Sequence, residues 1–192
     1  MSYVIWKAIF EEGYCVCGGL ENFEDSHKLK RGISIGEYFP ADALFRMDPD
    51  FPKDIKLSDN IRNKGGFMLV SKEIKELIER EHVNNSEYLS VKIINHKGRV
   101  ASENYFIINP LGIYDAIDLD SSSVKWNNIN PEEISTCLKL ILKKEYIPAD
   151  AKMFRLKYFS RHVVLRRDLA EQIKNGSFTG ISFTDVQNFK GF

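Results

Sequence analysis

The sequence predicts an α+β fold built mostly of antiparallel strands, with a few short helices. Segments rich in β-branched and aromatic residues occur in groups, for example 3–10 with 14–17 and 88–94 with 104–108. Helical spacing of apolar residues is clear only in two short segments, 71–82 and 168–174. Strands that cluster, with helices between the clusters, are typical of α+β folds.

The N-terminal third begins with two predicted strands, residues 3–10 and 14–17, on either side of a turn at 11–13 that ends in glycine. Glycine and proline recur from 18 to 65, which predicts turns and one short element around Ala43–Met47.

Residues 71–82 form the clearest predicted helix. Ser71 is a plausible N-cap, and Glu73 lies in the first turn, where the helix dipole favours an acid. Ile74, Leu77 and Ile78 follow at helical spacing, which predicts a buried stripe. Two strands, 88–94 and 104–108, then follow across a turn at 96–98.

Residues 130–142 fit two patterns. Asn130, Pro131 and Glu133 resemble a helix start, whereas Leu138, Leu140 and Leu142 alternate as in a strand. We expect one helical turn followed by a strand.

The closing segments have clearer patterns. Residues 153–159 predict a strand with Arg155 and Lys157 on a solvated face. A short strand at 162–165, a helix at 168–174 and a short strand at 181–183 complete the prediction.

Composition limits the class of protein. The 27 basic and 27 acidic residues cancel, which disfavours a general nucleic-acid binder, because phosphate affinity needs excess Lys and Arg. With 192 residues and 43% hydrophobic content, the chain fits one globular domain, residues 1–192. Neither a signal peptide nor a membrane span is expected, and we predict a cytoplasmic protein without a membrane partner.

The cysteine and histidine pattern predicts no metal and no cofactor. Three cysteines, an odd number, do not make a disulfide framework, and the four histidines form no closely spaced pair. Zinc would need four ligands at suitable spacing. We therefore expect Cys15, Cys17 and Cys137 to be buried, inert thiols.

One acidic segment could carry chemistry. Asp115, Asp118 and Asp120 could hold a divalent cation, and the alternative function is a metal-dependent enzyme acting on a small or phosphorylated substrate. A calcium loop starting at Asp118 would need Gly where Ser123 stands and Glu where Ile129 stands. A turn in which aspartate and serine cap backbone amides is the favoured interpretation.

A basic stretch spans residues 152–167. It contains six Lys and Arg residues and no acid, with aromatics interleaved. The first half of the chain carries 13 basic and 16 acidic residues, and the second half carries 14 basic and 11 acidic residues. The net charges of the two halves are therefore −3 and +3. Such a stretch fits a solvated strand face, a surface for an acidic protein partner or, less well, a nucleic-acid surface.

Nucleophile and phosphate-binding motifs do not occur. The sequence has no GxSxG, no GxxxxGK[ST] and no GxGxxG. We therefore expect a protein that is not an enzyme.

Four segments in order resemble a known bacterial family. They are residues 68–78 (MLVSKEIKELI), 88–94 (YLSVKII), 104–123 and 147–183, the last ending in Thr-Gly-x-x-Phe. Together they resemble the immunity proteins of polymorphic toxin systems, a family first catalogued as a domain of unknown function. The resemblance divides the chain into a variable N-terminal lobe, 1–67, and a family-like part, 68–192.

The resemblance implies an α+β domain without catalytic apparatus that binds and neutralises a toxin encoded by a neighbouring gene. It also implies a strand at 138–142 and structural roles for Ser71, Asp118, Ser122 and Gly180. Arg and aromatic side chains are the usual anchors of protein interfaces. On that ground we predict five exposed partner contacts: Trp126, Arg161, His162, Arg166 and Arg167.

Overall fold

The computed structural model describes residues 1–191, which form two β-sheets, a separate β-hairpin and two α-helices. The α+β prediction is confirmed. The strands are β1 Tyr3–Ala8, β2 Cys17–Glu21, β3 Leu44–Met47, β4 Asn60–Ile61, β5 Met68–Ser71, β6 Ser86–Ile94, β7 Val100–Pro110, β8 Ile113–Tyr114, β9 Ser123–Trp126, β10 Ile134–Lys139, β11 Met153–Leu156, β12 Val163–Arg166 and β13 Ile181–Asp185. The α-helices are α1 Lys72–Arg80 and α2 Arg167–Asn175.

The first sheet has the strand order β2-β3-β6-β7-β5-β4, and the second has the order β13-β1-β12-β11-β8. Pairing is antiparallel except for β3 with β6 and β8 with β11. Strands β9 and β10 form the hairpin. Residues 1–67 supply strands to both sheets, because β1 lies in the second sheet and β2–β4 lie in the first.

Each sheet contains the same strand–helix unit. The four residues of β5 lead directly into α1, and the four of β12 lead directly into α2. Glu73 and Asp168 occupy equivalent places in the first turns, where a carboxylate complements the helix dipole. The helices predicted at 71–82 and 168–174 are confirmed to within two residues at each end.

The hydrophobic core has three parts. The central part contains the buried faces of both helices and lies against both sheets. Alternation along β1 shows the arrangement, because Val4 and Trp6 face this central core while Tyr3 and Ile5 face the core beneath the β9–β10 hairpin. The third part lies on the other face of the first sheet.

Side chains near β4 join the two sheets. The indole Nε1 of Trp6 donates a 2.6 Å hydrogen bond to Asn60 Oδ1. The Asp59 carboxylate accepts hydrogen bonds from the Thr179 backbone N (2.8 Å) and hydroxyl (2.7 Å), and Ser71 Oγ also donates to Asp59. These contacts hold the loop before β13 against the first sheet. That residues 1–192 form one domain stays a prediction.

The predicted strand at residues 14–17 is wrong except at its last residue. Strand β1 has β12 on one edge and β13 on the other, so no edge is free for residues 14–17. Tyr14 forms a bridge with Lys56, and β2 begins only at Cys17. Local residue pattern predicted β1 itself but could not show that its partners come from the far end of the chain.

Two further predictions need correction. Residues 130–133 form a single turn, closed by the hydrogen bond from Glu133 N to Asn130 O (3.0 Å), and no helix is assigned there. The strand begins at Ile134 instead of 138. Ser71 does precede α1 as its N-cap residue but makes no capping hydrogen bond, because its hydroxyl bonds Asp59 instead.

Candidate functional site: a basic cleft between the two sheets

A cleft of about 400 Å³ opens where the two sheets meet. Its walls come from β1, from the loop between β4 and β5, from the 3-10 helix Glu24–Arg31, and from the turn that precedes β12. The first and second sheets each contribute a wall, so the site exists only in the folded chain.

The cleft is lined by cations. Six Lys or Arg side chains line it, and no Asp or Glu belongs to the lining: Lys7, Lys30, Arg62, Lys64, Arg155 and Arg161. Lys64 is neutralised by Asp48, 2.9 Å away, and lies 3.6 Å from Asp50. Within residues 1–191, the other five have no carboxylate within 4.0 Å.

Arg155 is the buried member of this set, and its predicted place on a solvated face is wrong. Only 5% of the residue is exposed, because β11 lies between β8 and β12 and is covered on both faces. Its Nη1 donates to Ser160 O (2.6 Å) and its Nη2 to Leu29 O (3.0 Å), while Nε has no partner in the described part of the chain. Burial lowers the pKa of Arg155 to about 10, so the guanidinium stays charged at neutral pH.

His162 lies beside these cations as a neutral ring. It packs against Phe159 and Phe189, with ring centroids 4.4 Å and 5.0 Å away. Burial, and then the positive charges of Arg161, Lys7 and Arg155, lower the pKa of His162 to about 3. The predicted exposed contact is therefore a half-buried wall of the cleft.

We expect the ring resonances of His162 to stay constant between pH 8 and pH 5 in an NMR titration of the folded protein. In urea the same histidine should titrate near its ordinary pKa of about 6.5. Because folding lowers this pKa, the unfolded state binds the extra proton, and the free energy of unfolding should fall as the pH drops below about 6.5. A folded-state midpoint near 6.5 would contradict this environment.

Trp126, Arg161 and His162 lie on one side of the molecule. Arg161 Nη2 donates to Ser135 O on β10, and the Trp126 ring packs edge-on against Tyr158 at 5.4 Å. Trp126 is 40% exposed, and Ile129, between β9 and β10, is 95% exposed. The Arg161–Ser135 contact thus joins the hairpin to a side chain that lines the cleft, and Trp126 and Ile129 give the hairpin an exposed apolar surface.

Arg166 and Arg167 lie at the opposite end of β12 and already have partners. Arg166 donates to both oxygens of Asp168 at 2.7 Å and to Ala149 O at 2.8 Å. Arg167 donates to Ser2 Oγ at 2.9 Å and forms an ion pair with Asp185. The structure therefore places the five predicted contacts in two groups. Arg166 and Arg167, which were predicted to be exposed, are both half-buried.

Comparison with known proteins identifies the family. A family model described as the immunity protein family Imm11 matches residues 18–188. The chain belongs to the Imm11 immunity protein family. A comparison with curated proteins finds no match. The Imm11 match begins at residue 18, whereas the resemblance seen in the sequence begins at 68. The match therefore adds most of β2, all of β3 and β4, and cleft residues such as Lys30 and Arg62.

The acidic turn of this Imm11 protein is held together by its own contacts. Asp118 Oδ1 accepts hydrogen bonds from the backbone N of Asp120 (3.2 Å) and Ser121 (3.3 Å). The hydrogen bond from the Ser121 side chain is the main cause that lowers the pKa of Asp118. Asp115 forms an ion pair with Lys157 at 2.7 Å. These contacts support the capping interpretation of the turn.

Three other features bear on the predictions. Residues 1–191 contain no group of three or more His, Cys, Asp or Glu side chains arranged to hold a metal ion. Cys15, Cys17 and Cys137 are buried and form no disulfide, which confirms their predicted burial. No helix within the described range is long and apolar enough to cross a membrane.

Sequence patterns missed most of the cleft. Lys7, Lys30 and Arg62 lie in segments that had no assigned role and are far apart along the chain. The net charge of zero did not indicate a cluster of these three cations. The basic stretch 152–167 was the one useful signal, since it contains Arg155, Arg161 and His162.

Proposed function

We propose that this Imm11 protein neutralises a toxin of a bacterial polymorphic toxin system by stoichiometric binding in the cytoplasm of the producing cell. Membership of the immunity protein family is the observation that carries this proposal. The toxin encoded by a neighbouring gene is the proposed partner. Binding would act by covering the toxin's active site or by holding the toxin in an inactive state.

The proposed toxin-binding surface is the rim formed by Trp126, Arg161 and His162, together with the cleft behind it. Trp and Arg are the most frequent anchors of protein interfaces, and exposed Ile129 extends the apolar part of this rim. Arg166 and Arg167 follow His162 by four and five residues along β12 and into α2, a distance of about 13–17 Å along extended chain. An interface of about 800 Å² per partner is wide enough to cover both ends of the strand. All five predicted contacts therefore stay in the proposal.

Replacing Trp126 by Ala should weaken toxin binding by about 30-fold, because an exposed Trp at an interface centre typically contributes about 2 kcal/mol. Tyr146→Ala is the matched control, since Tyr146 is also exposed (61%) and belongs to a different surface segment. Isothermal titration calorimetry with the neighbouring toxin domain measures both affinities. Equal losses for the two variants, or no loss for Trp126→Ala, would remove the hairpin from the interface.

A further inference from the structure

The cleft between the sheets holds more positive charge than the fold can neutralise. Lys7, Lys30, Arg62, Arg155 and Arg161 converge on about 400 Å³, and none has a carboxylate within 4.0 Å among residues 1–191. Two of these cations lie over aromatic rings: Lys7 is 4.6 Å from the Phe189 centroid and Lys30 is 5.5 Å from Phe67. Like charges that converge without counter-ions lower stability, so an anion that entered the cleft would relieve the repulsion.

Arg155 gives an independent reason to expect an anion. A buried charge without a counter-ion costs several kcal/mol, and a buried donor without an acceptor adds to that cost. Both apply to Arg155, whose Nε is buried, unpartnered and part of a side chain that lines the cleft. Two backbone carbonyls hold the guanidinium in place, so the free donor belongs to an ordered group.

The volume and lining of the cleft favour binding of a small, partly apolar group. A volume of about 400 Å³ is near the lower end for ligand pockets and admits a few side chains. Trp6, Phe67 and Val163 supply apolar wall between the cations. Charge neutrality of the whole chain fits a local contact better than binding along a nucleic-acid backbone, which requires excess Lys and Arg.

We propose that this cleft receives carboxylate side chains from an acidic loop of the toxin. The carboxylates pair with Lys30, Arg62 and Arg161, and one oxygen accepts the free Nε–H of Arg155. This inference rests on the proposed function, and it assigns the chemistry that the toxin must present. The adjacent hairpin rim then contacts the apolar residues that flank the acidic loop.

The test compares two triple variants that each remove three positive charges. Lys30→Gln/Arg62→Gln/Arg161→Gln alters the cleft, and Lys53→Gln/Lys97→Gln/Arg99→Gln alters exposed cations outside it. Calorimetry with the neighbouring toxin domain should show at least a 100-fold loss of affinity for the cleft triple and less than a threefold loss for the control triple. Circular dichroism melts check folding, and Arg62→Gln alone replaces the triple if the triple does not fold, with at least a fivefold loss expected.

A second arm uses defined probes on the isolated protein. Hexaglutamate should shift the Arg155 Nε–H resonance of the native protein, and hexaglutamine should not. Pyrophosphate binding without hexaglutamate binding would identify a phosphate site and overturn the proposal.

Calorimetry with the toxin separates this inference from the proposed function. If native protein binds the toxin and both triples bind it equally well, the cleft is not the contact, although the immunity function stands. If native protein does not bind the toxin at all, the proposed function fails, and the assignment of the cleft to a toxin fails with it.

Discussion

Replacing Trp6 by Ala is expected to lower the free energy of unfolding by about 4–8 kcal/mol. Removing a buried Trp side chain costs about 3–5 kcal/mol. Trp6 is 5% exposed and packs edge-on against Phe183 at 5.4 Å, so the vacated space has little means to collapse. The change also leaves Asn60 Oδ1 without its 2.6 Å donor, and a buried unsatisfied acceptor costs about 1–3 kcal/mol.

Trp6→Phe separates the two contributions. It keeps most of the buried ring and removes only the donor, so a loss of about 1–3 kcal/mol is expected. Urea denaturation followed by circular dichroism measures both variants. A loss below about 2 kcal/mol for Trp6→Ala would contradict the role of this residue in joining the second sheet to Asn60 of the first.

Replacing Gly180 by Ala should cost about 2–5 kcal/mol. Gly180 has φ +76°, a conformation that costs an L-residue about 1–2 kcal/mol. A Cβ there would collide with the backbone oxygen of Asn60 and approach Ser58 Oγ to 2.9 Å. Backbone atoms cannot move aside as a flexible side chain can, and forced overpacking adds about 1–3 kcal/mol. The structural role that the resemblance implied for Gly180 has this physical basis.

Gly98→Ala is the matched control for Gly180→Ala. Gly98 has φ +73°, and a Cβ there would meet nothing within 4 Å. It should cost only the backbone part, about 1–2 kcal/mol. Thermal denaturation of both variants isolates the collision as the difference between them. Equal losses would mean that the loop before β13 can move away from β4.

Local sequence pattern predicted the helices and strands that are determined by residues close to one another along the chain. Helix α1 begins after Ser71 and buries Ile74 and Ile78, as the spacing indicated. Strands β6 and β7 pair across the turn that His96–Gly98 predicted. The placement of β1 was not predictable in this way, because its two neighbours lie about 160 and 180 residues further along the chain.

The site was less predictable than the fold. Alternation predicted that Arg155 would face solvent, but alternation separates faces only when one of them is open, and both faces of β11 are covered. The cleft gathers Lys7, Lys30, Arg62 and Arg161 from four separate segments. The sequence shows the sign of each charge but not their convergence, since tertiary packing alone brings them together.

Co-expression with the toxin proposed to be encoded by a neighbouring gene tests the proposed immunity function most directly. Cells that express the toxin alone should die, and cells that express it with this Imm11 protein should survive, with both chains recovered as a stoichiometric complex on size-exclusion chromatography. Survival should be lost when toxin is in molar excess, because a stoichiometric inhibitor protects only up to its own concentration. Death in spite of an excess of this protein, or full protection by substoichiometric amounts, would contradict neutralisation by binding.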